Sequence, residues 1–369
     1  MSDVQSPGGP VRPSRVERGI RAHRRRRGEA LVTVLVVLSV GSYAWVQAKH
    51  YSVEAPTSSA STSSPSSPGA GPSRFLAVSV AGSAQPLLAM VGVSGSGQPT
   101  AVSVPMGLTM VVPGAGEMLA KDVSHLSGPG MRLALSNLVG VWADHWLVTD
   151  LDRLAAFVDR TGGLNANLTQ IFVIPTGGLG PGPTTLDGAQ VRALLSTQGT
   201  EAEAAWGAVL TALLEHPPNL QRSDVAGTDD LSAAQGDLDD AAGATVIPIP
   251  TATVAGSTTV AAQPDLDELM TKTFGTRPPV SVIVQNGSGF AGVGALVAQK
   301  ILPAGFRVVV SENASTFDHP VTTIVANGVD NVPASRRLRR ALGVGLIRLS
   351  RVPSGIGDIT VVVGKDFKV

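Results

Sequence analysis

From Ala30 to Ala48 the chain runs nineteen residues without a charge, ALVTVLVVLSVGSYAWVQA, directly behind a block of arginines. At about 1.5 Å per residue a helix of this length spans roughly 28 Å, close to the hydrocarbon thickness of a bilayer. Tyr43 and Trp45 fall near its outer end, where amphipathic rings favour the membrane interface. Residues 1–29 carry Arg12, Arg15, Arg18, Arg21 and Arg24 to Arg27 against Asp3, Glu17 and Glu29. Positive charge stays on the cytoplasmic side, so the pattern predicts a cytoplasmic N-terminus, a transmembrane helix over 30–48 and export of everything beyond Lys49. A buried core helix is one competing reading, though it would not follow an arginine run, and a cleavable signal peptide is the other. The latter requires a shorter apolar stretch and a small-residue cleavage site, to which Val46-Gln47-Ala48 is a weak match. Beside an apolar span, the arginine block reads as a topology signal attracted to anionic lipid rather than as a nucleic-acid arm.

The remaining composition narrows the function classes. Length 369 suits two domains with tails, and 43% hydrophobic residues can fill two cores. Aromatics are 4% of the chain, too few for a nucleic-acid binder built on stacking platforms. With no cysteine there are no disulfides, thiolate metal ligands or cysteine nucleophiles. The six histidines (23, 50, 125, 145, 216 and 319) show no HExxH or other paired spacing, so no metal and no cofactor is expected. No GxSxG elbow occurs, and Gly95-Ser96-Gly97 reads as a hairpin turn.

A Ser/Pro-rich stretch over 49–73 reads as an extended linker. Beyond it, 74–275 alternates strands and helices. Phe75–Val80 and Pro86–Val93 read as strands, Arg132–Val141 as a helix, and His145–Val148 as a strand leading to a helix over Leu151–Arg160. Leu186–Gln190 opens another helix, and Glu201–Leu214 is a long one. Such alternation predicts an α/β core with helices on both faces of a sheet. Asp150 and Asp152 precede a helix, where carboxylates favour the N-terminal dipole, so capping is expected rather than a catalytic acid pair. The stretch His216–Ala244 carries Asp224, Asp229, Asp230, Asp237, Asp239 and Asp240 without calcium-loop spacing and is expected to be a solvated acidic loop.

Within this region the run Ala143-Asp144-His145-Trp146-Leu147-Val148-Thr149-Asp150, then Leu154, Phe157, Val158 and Asp159-Arg160-Thr161-Gly162-Gly163-Leu164, resembles the LytR–CpsA–Psr (LCP) family of bacterial envelope proteins. Leu186-Asp187-Gly188-Ala189-Gln190 is similar to the LNGEQA stretch of that family, and Val209–Leu213 to the helix after it. The resemblance implies an α/β/α sandwich over 74–275. It also implies a phosphotransferase ancestry, moving glycopolymers from polyprenyl pyrophosphate to peptidoglycan with arginines around the pyrophosphate and carboxylates for Mg²⁺. This chain departs from the pattern at those positions. Met106 and Gly107 stand where the family has arginine and aspartate, and Gln85 where it has aspartate. Ser196 and Gln198 replace an RxR pair, and Ala202 and Ala205 replace two arginines, with Glu201 and Glu203 beside them. Each lost guanidinium removes charge-assisted bonds of about 1.5–3 kcal/mol. No catalytic residue is therefore assigned, and the domain reads as degenerate. Arg192, one helical turn before the RxR position, is the remaining candidate for binding an anionic group. The family's apolar tunnel for a polyprenyl tail would fall to Met106, Leu108, Met110, Val111 and Val112, for which ordinary core packing is the alternative.

The last domain is read as a small α/β unit over 279–367, set off by Thr276-Arg277-Pro278. Strand Val280–Gln285 leads through Asn286-Gly287-Ser288-Gly289 into a helix over Ala291–Leu302 and a strand over Phe306–Val310. Gly287, Gly289 and Gly292, with Glu312 about twenty residues on, copy the spacing of a dinucleotide fingerprint. Some ninety residues are too few for two mononucleotide halves, and glycines at such a turn are needed for packing alone. Asn286–Gly289, Gly305-Phe306-Arg307-Val308, Thr322–Val325 and Asp358–Asp366 resemble instead the C-terminal domain of LytR-type proteins, which implies a module for binding or assembly. Arg336, Arg337, Arg339 and Arg340 cluster on a helix over Ala334–Leu342. With Arg348 and Arg351 they form a candidate surface for anionic wall polymer, or simply a solvated basic face.

Taken together, these features predict a single-pass bacterial membrane protein with extracytoplasmic domains, acting without catalysis as a binding or regulatory partner in wall-glycopolymer assembly. Its partners would be the membrane through 30–48 and anionic wall polymer or polyprenyl lipid; no nucleic acid is expected and no protein partner is indicated. Two alternatives stand beside it: a residual phosphotransferase built on Arg192, and a transcriptional regulator, which exported topology disfavours.

Overall fold

The computed structural model describes residues 73–368 except 83–85, 95–97, 198, 218, 255–256 and 352–353. The basic tail, the apolar run 30–48, the linker up to residue 72, Gln85, Gly95–Gly97 and Gln198 lie outside the described residues. Among the described residues no helix is long and apolar enough to cross a membrane.

The first strand is apolar on both faces, as a central strand between two layers must be. Strand β1 (Arg74–Ala81) sends Leu76, Val78 and Val80 to one core and Phe75 and Ala77 to another. It pairs antiparallel with β2 (Leu87–Val93), which pairs antiparallel with β3 (Thr100–Val104). A small second sheet follows, begun by β4 (Leu108–Val112) and β5 (Gly116–Leu119), then a short helix α1 (Ala120–Val123). Helix α2 (Gly128–Val139) is capped by Ser127, whose side chain accepts the Gly130 amide, and ends at Gly140 with φ 76°.

Strand β6 (His145–Asp150) lies parallel to β1, with Asp150 opposite Ala81. Asp150 closes the strand and caps α3 (Leu151–Arg160) by accepting the Arg153 amide at 2.8 Å, the capping role its position foretells. Two small hairpins, β7 (Leu164–Leu168) with β10 (Gly182–Leu186) and β8 (Phe172–Ile174) with β9 (Gly177–Leu179), separate α3 from α4 (Gly188–Leu195). Asp187 and Gln190 form a reciprocal capping box on α4. Helix α5 (Thr200–Glu215) follows.

The region expected to be a solvated acidic loop is instead folded. It holds a 3₁₀ turn (Arg222–Asp224), strand β11 (Gly227–Thr228) and helix α6 (Leu231–Asp240). Its aspartates have structural partners. Asp224 and Asp237 are buried; Asp224 pairs with Arg160 and accepts the Gln221 amide, and Asp237 pairs with Arg74. Asp229 accepts from Arg132 and the Trp146 amide, and Asp230 caps α6. The arginines that pair with Asp224, Asp229 and Asp237 lie far away in sequence, which is why charge density alone suggested a loop.

Strand β12 (Thr245–Pro248) joins β3 in parallel, completing a six-stranded sheet of order β11-β6-β1-β2-β3-β12. The small sheet gains β13 (Thr251–Val254) and β14 (Thr258–Ala261), and α7 (Gln263–Phe274) ends the domain. Helices α3, α4, α5 and α6 cover one face of the six-stranded sheet; α2, α7 and the small sheet cover the other. This is the layered α/β/α arrangement expected from the alternating elements.

The C-terminal domain is two-layered. Strands β15 (Val280–Asn286), β16 (Phe306–Asn313), β17 (Thr323–Asn327), β18 (Leu346–Ser350) and β19 (Ile359–Val363) form one sheet of order β16-β15-β19-β17-β18. Helices α8 (Val293–Ile301) and α9 (Val332–Leu342) bury Val293, Val297, Ile301, Leu338 and Leu342 in a core with Val282, Ile324 and Val361.

The two domains meet through polar groups withdrawn from water. Asn137, 2% exposed, donates from Nδ2 to the carbonyls of Val111 and Val308 at 3.0 and 2.9 Å and accepts the Val308 amide at 2.7 Å. One amide thereby bridges β4 to β16. Beside it Arg307 donates to both carboxylate oxygens of Asp267, at 3.2 and 2.7 Å, and to the Asn137 carbonyl at 3.2 Å. Gly140 is required here: a Cβ would sit 2.5 Å from the Arg307 guanidinium.

Candidate functional site

Register brings the candidate cleft to one end of the six-stranded sheet. Ala81 lies opposite Asp150 and Leu88 opposite Val104, so the segments after β1 and β3 and the start of α3 share that end. Ends where parallel strands give way to helices are where α/β sheets usually bind ligands.

An open cleft of about 490 Å³ is lined there by Asp150, Asp152, Arg153, Ala156, Arg160, Ser223 and Asp224. Three guanidiniums reach this end of the domain and each is held by a carboxylate: Arg153 by Asp150, Arg160 by Asp224, and Arg192 by Asp152. Arg160 also lies over the Phe157 ring at 5.3 Å. Behind the cleft, between the sheet and α3, α5 and α6, lies an apolar cavity of about 70 Å³. Val78, Val80, Leu87, Leu154, Phe157 and Leu210 line it, and Thr149 and Asp224 close its polar end. Thr149 Oγ1 donates to the Asp224 carbonyl at 2.6 Å. Asp224 is thus common to the dry cavity and the wet cleft, an arrangement suited to an amphiphile with one apolar and one polar end. The cavity has less than half the volume of an engineered ~150 Å³ void that admits benzene, so a hydrocarbon tail longer than a few carbons requires it to widen.

Arg192 is half exposed and paired with Asp152, and it is not among the residues that line the cleft. Arg153, Arg160 and Asp224 do line it and were not read from the sequence. Arg153 stands three residues beyond Asp150 and carries a local signal, whereas Arg160 and Asp224 are 64 residues apart and carry none. Ala202 and Ala205 are 1% and 0% exposed, Ala205 within the core of the α3–α6 face. Ser196 Oγ donates to the Arg192 carbonyl at 2.7 Å, Gly107 is exposed, and Met106 packs on the opposite core. Leu108, Met110 and Val112 likewise fill the core on the α2 face, in line with the core-packing reading, and are not among the residues lining the cavity, because β4 belongs to the small sheet on the other side. Among the described residues no group of three or more His, Asp or Glu side chains is placed to hold a metal ion.

In the C-terminal domain, Arg336, Arg337, Arg339 and Arg340 are all exposed on α9, and Arg348 and Arg351 are exposed on and after the edge strand β18. Arg337 lies over the Phe306 ring at 4.8 Å. The helix buries Ser335, Leu338 and Leu342, which leaves the four arginines on its outer and flanking faces.

No curated protein matches the chain in sequence. Its structure is similar to that of Bacillus subtilis TagU, at 14% identity and a TM-score of 0.45, over 55% of this chain and 95% of that one. It is similar to B. subtilis YwtF (TagT), a LytR-CPS2A-psr family protein solved with octaprenyl pyrophosphate lipid, at 15% identity and a TM-score of 0.46, over 56% and 91%. A LytR-Csp2A-Psr enzyme from Actinomyces oris is similar at 20% identity and a TM-score of 0.42, over 55% and 90%. Residues 279–367 match the model of the LytR_C family, described as LytR cell envelope-related transcriptional attenuator.

Proposed function

We propose that this chain is a single-pass envelope protein whose 74–275 domain is an LCP-like fold without phosphotransfer chemistry, and that it acts as a binding partner in the assembly of cell-wall glycopolymer. Residues 30–48 hold it in the membrane with the N-terminus cytoplasmic and both domains outside. The observation that carries the reading is the charge balance of the cleft. Arg153, Arg160 and Arg192 each already hold an aspartate, and Ala202 and Ala205 are packed where further arginines would be needed. A pyrophosphate entering this cleft meets carboxylates at each guanidinium and must displace them, and Glu201 and Glu203 stand exposed in the first turn of α5. What the cleft retains is an apolar cavity behind a polar mouth, and what the C-terminal domain offers is a basic helix for an anionic polymer.

Full-length protein purified in detergent, supplied with a polyprenyl-pyrophosphate-linked glycopolymer, an acceptor and Mg²⁺, is expected to transfer nothing. Lipid extraction and mass spectrometry of the same preparation is expected to recover a co-purifying polyprenyl species. Turnover abolished by Arg192→Ala would overturn the non-catalytic reading. It would favour the second one, a residual phosphotransferase, for which the supporting feature is that Arg153 and Arg160 line the cleft and Arg192 pairs with Asp152 on its wall. A reporter fused to the C-terminus tests the topology and, with it, the transcriptional alternative, which requires that terminus in the cytoplasm.

A further inference from the structure

All eight phenylalanines of the chain lie among the described residues. Six of them, Phe75, Phe157, Phe172, Phe274, Phe306 and Phe367, are buried. The other two, Phe290 and Phe317, are 51% and 47% exposed, and both stand at one end of the C-terminal sheet. Register defines that end: Asn286 lies opposite Asn313 and Val363, while Thr323 lies opposite Val362 and Leu346. The ends of β15, β16 and β19 and the starts of β17 and β18 therefore converge there.

The two loops that carry these rings are tied to one another. Asn286 Oδ1 accepts the amides of Ser288 and Gly289 at 3.2 and 3.1 Å, and its Nδ2 donates to the Phe290 carbonyl at 2.9 Å. The loop 314–322 is laid on this turn: Ala314 donates its amide to the Asn286 carbonyl at 3.0 Å and His319 to that of Gly287 at 3.2 Å. Its far end is held by Asp366, which accepts the Thr322 amide and hydroxyl at 2.7 Å each. Gly287 and Gly289 make the approach possible. A Cβ on Gly287 would sit 2.6 Å from the His319 ring, and Gly289 has φ 82° with Phe317 packed against it. Two of the glycines that copy a dinucleotide fingerprint, Gly287 and Gly289, thus serve to seat one loop on another.

Exposed aromatic rings on pre-ordered loops are characteristic of binding surfaces, because little conformational freedom remains to be lost. We propose that Phe290 and Phe317 form a stacking platform for the pyranose rings of a glycan strand. The negative face of a phenyl ring attracts the weakly polarised C–H groups on the flat side of a sugar. The polar groups beside the rings suit hydroxyls: the Thr316 hydroxyl and His319 imidazole, 3.3 Å apart, and the Asp318 carboxylate, 92% exposed. Asp318 also argues for sugar over lipid. It adjoins Phe317, and driving that ring into a bilayer would carry a carboxylate toward the hydrocarbon. With Lys365 Nζ 3.7 Å from Asp318, the tip is close to neutral and suits an uncharged ring. The inference deepens the polymer-binding reading of the C-terminal domain and rests on it for the identity of the polymer alone. Phe290 and Phe317 would take the sugar rings, and the arginines of α9 the anionic groups.

The test uses full-length protein in detergent with two probes, chitohexaose as a neutral phosphate-free glycan and polyphosphate as a sugar-free anion. Saturation transfer from protein to the chitohexaose ring protons is expected. The double substitution Phe290→Ala/Phe317→Ala is expected to weaken chitohexaose binding by roughly tenfold or more and leave polyphosphate binding and the unfolding midpoint unchanged. Phe317→Trp keeps a stacking face and is expected to retain the glycan. Arg336→Gln/Arg340→Gln is expected to do the reverse, weakening polyphosphate and sparing chitohexaose. Should polyphosphate fail to bind the wild type, the polymer reading of the arginines falls while the chitohexaose result still judges the platform. Absence of saturation transfer, or equal chitohexaose binding by the double variant, overturns the proposal. So does a double variant that loses binding to phosphatidylglycerol vesicles while keeping the glycan, which would make the tip a lipid contact.

Discussion

Removing the carboxylate of Asp267 tests how firmly the two domains are joined. Arg307 has a side chain only 7% exposed and Asp267 one of 20%, so their ion pair is largely withdrawn from water. Asp267→Ala deletes two charge-assisted bonds of about 1.5–3 kcal/mol each and leaves a buried guanidinium with one carbonyl acceptor. Breaking one side of a buried pair costs about 3–5 kcal/mol, and the bond sum falls in the same range. The assay is urea unfolding of the full-length protein, followed by tryptophan fluorescence. Trp142 is suited to report the interface because it packs against the C-terminal core and stacks under Arg132 at 4.3 Å. Wild type is expected to lose both domains in one transition. Asp267→Ala is expected to split it, with the C-terminal domain released at lower urea. Replacing both partners, Arg307→Met with Asp267→Leu, is expected to restore most of the stability because no orphan charge remains. A single variant that shifts the midpoint by less than about 0.5 kcal/mol and keeps one transition would refute the reasoning, since an exposed pair behaves that way.

Further outcomes follow from other contacts. Asn137→Ala leaves the carbonyls of Val111 and Val308 and the Val308 amide without partners, and is expected to cost about 2–4 kcal/mol by the same unfolding measurement. Asp224→Asn removes the carboxylate that holds Arg160, so titration calorimetry with inorganic pyrophosphate is expected to show binding several-fold tighter than wild type. No gain would mean that Arg160 does not face the cleft. Burial pushes the Asp237 carboxyl above its ordinary range, against the opposing pull of Arg74. The folded state then binds that proton more tightly than the unfolded chain, so stability falls as pH rises from the ordinary carboxylate range through the raised one. Asp237→Asn is expected to flatten that part of the stability–pH profile, and a slope unchanged by the substitution would show that another group sets it.

Local signals determined most of the secondary structure. The caps made by Asp150, the Asp187–Gln190 box and Gly140 link residues within four positions of one another, and the helices they bound are α3, α4 and α2. The near-continuous apolar run of β1, buried on both faces, fits a sheet covered by a layer on each side. That Met106, Ser196, Ala202 and Ala205 are not arginines was equally legible, because the residue type at a position is the sequence itself. Which surviving charges meet was not. Arg160 reaches Asp224 across 64 residues, Arg74 reaches Asp237 across 163, and Arg307 reaches Asp267 across 40. No periodicity links such partners, and without them the aspartates of 224–240 looked like a solvated loop. The same holds for β4, whose apolar run suits a cavity wall or a core until the sheet order assigns its face. A charge or an apolar side chain is written in the sequence; its partner, and hence its protonation, exposure and function, is set by where the rest of the chain comes back to meet it.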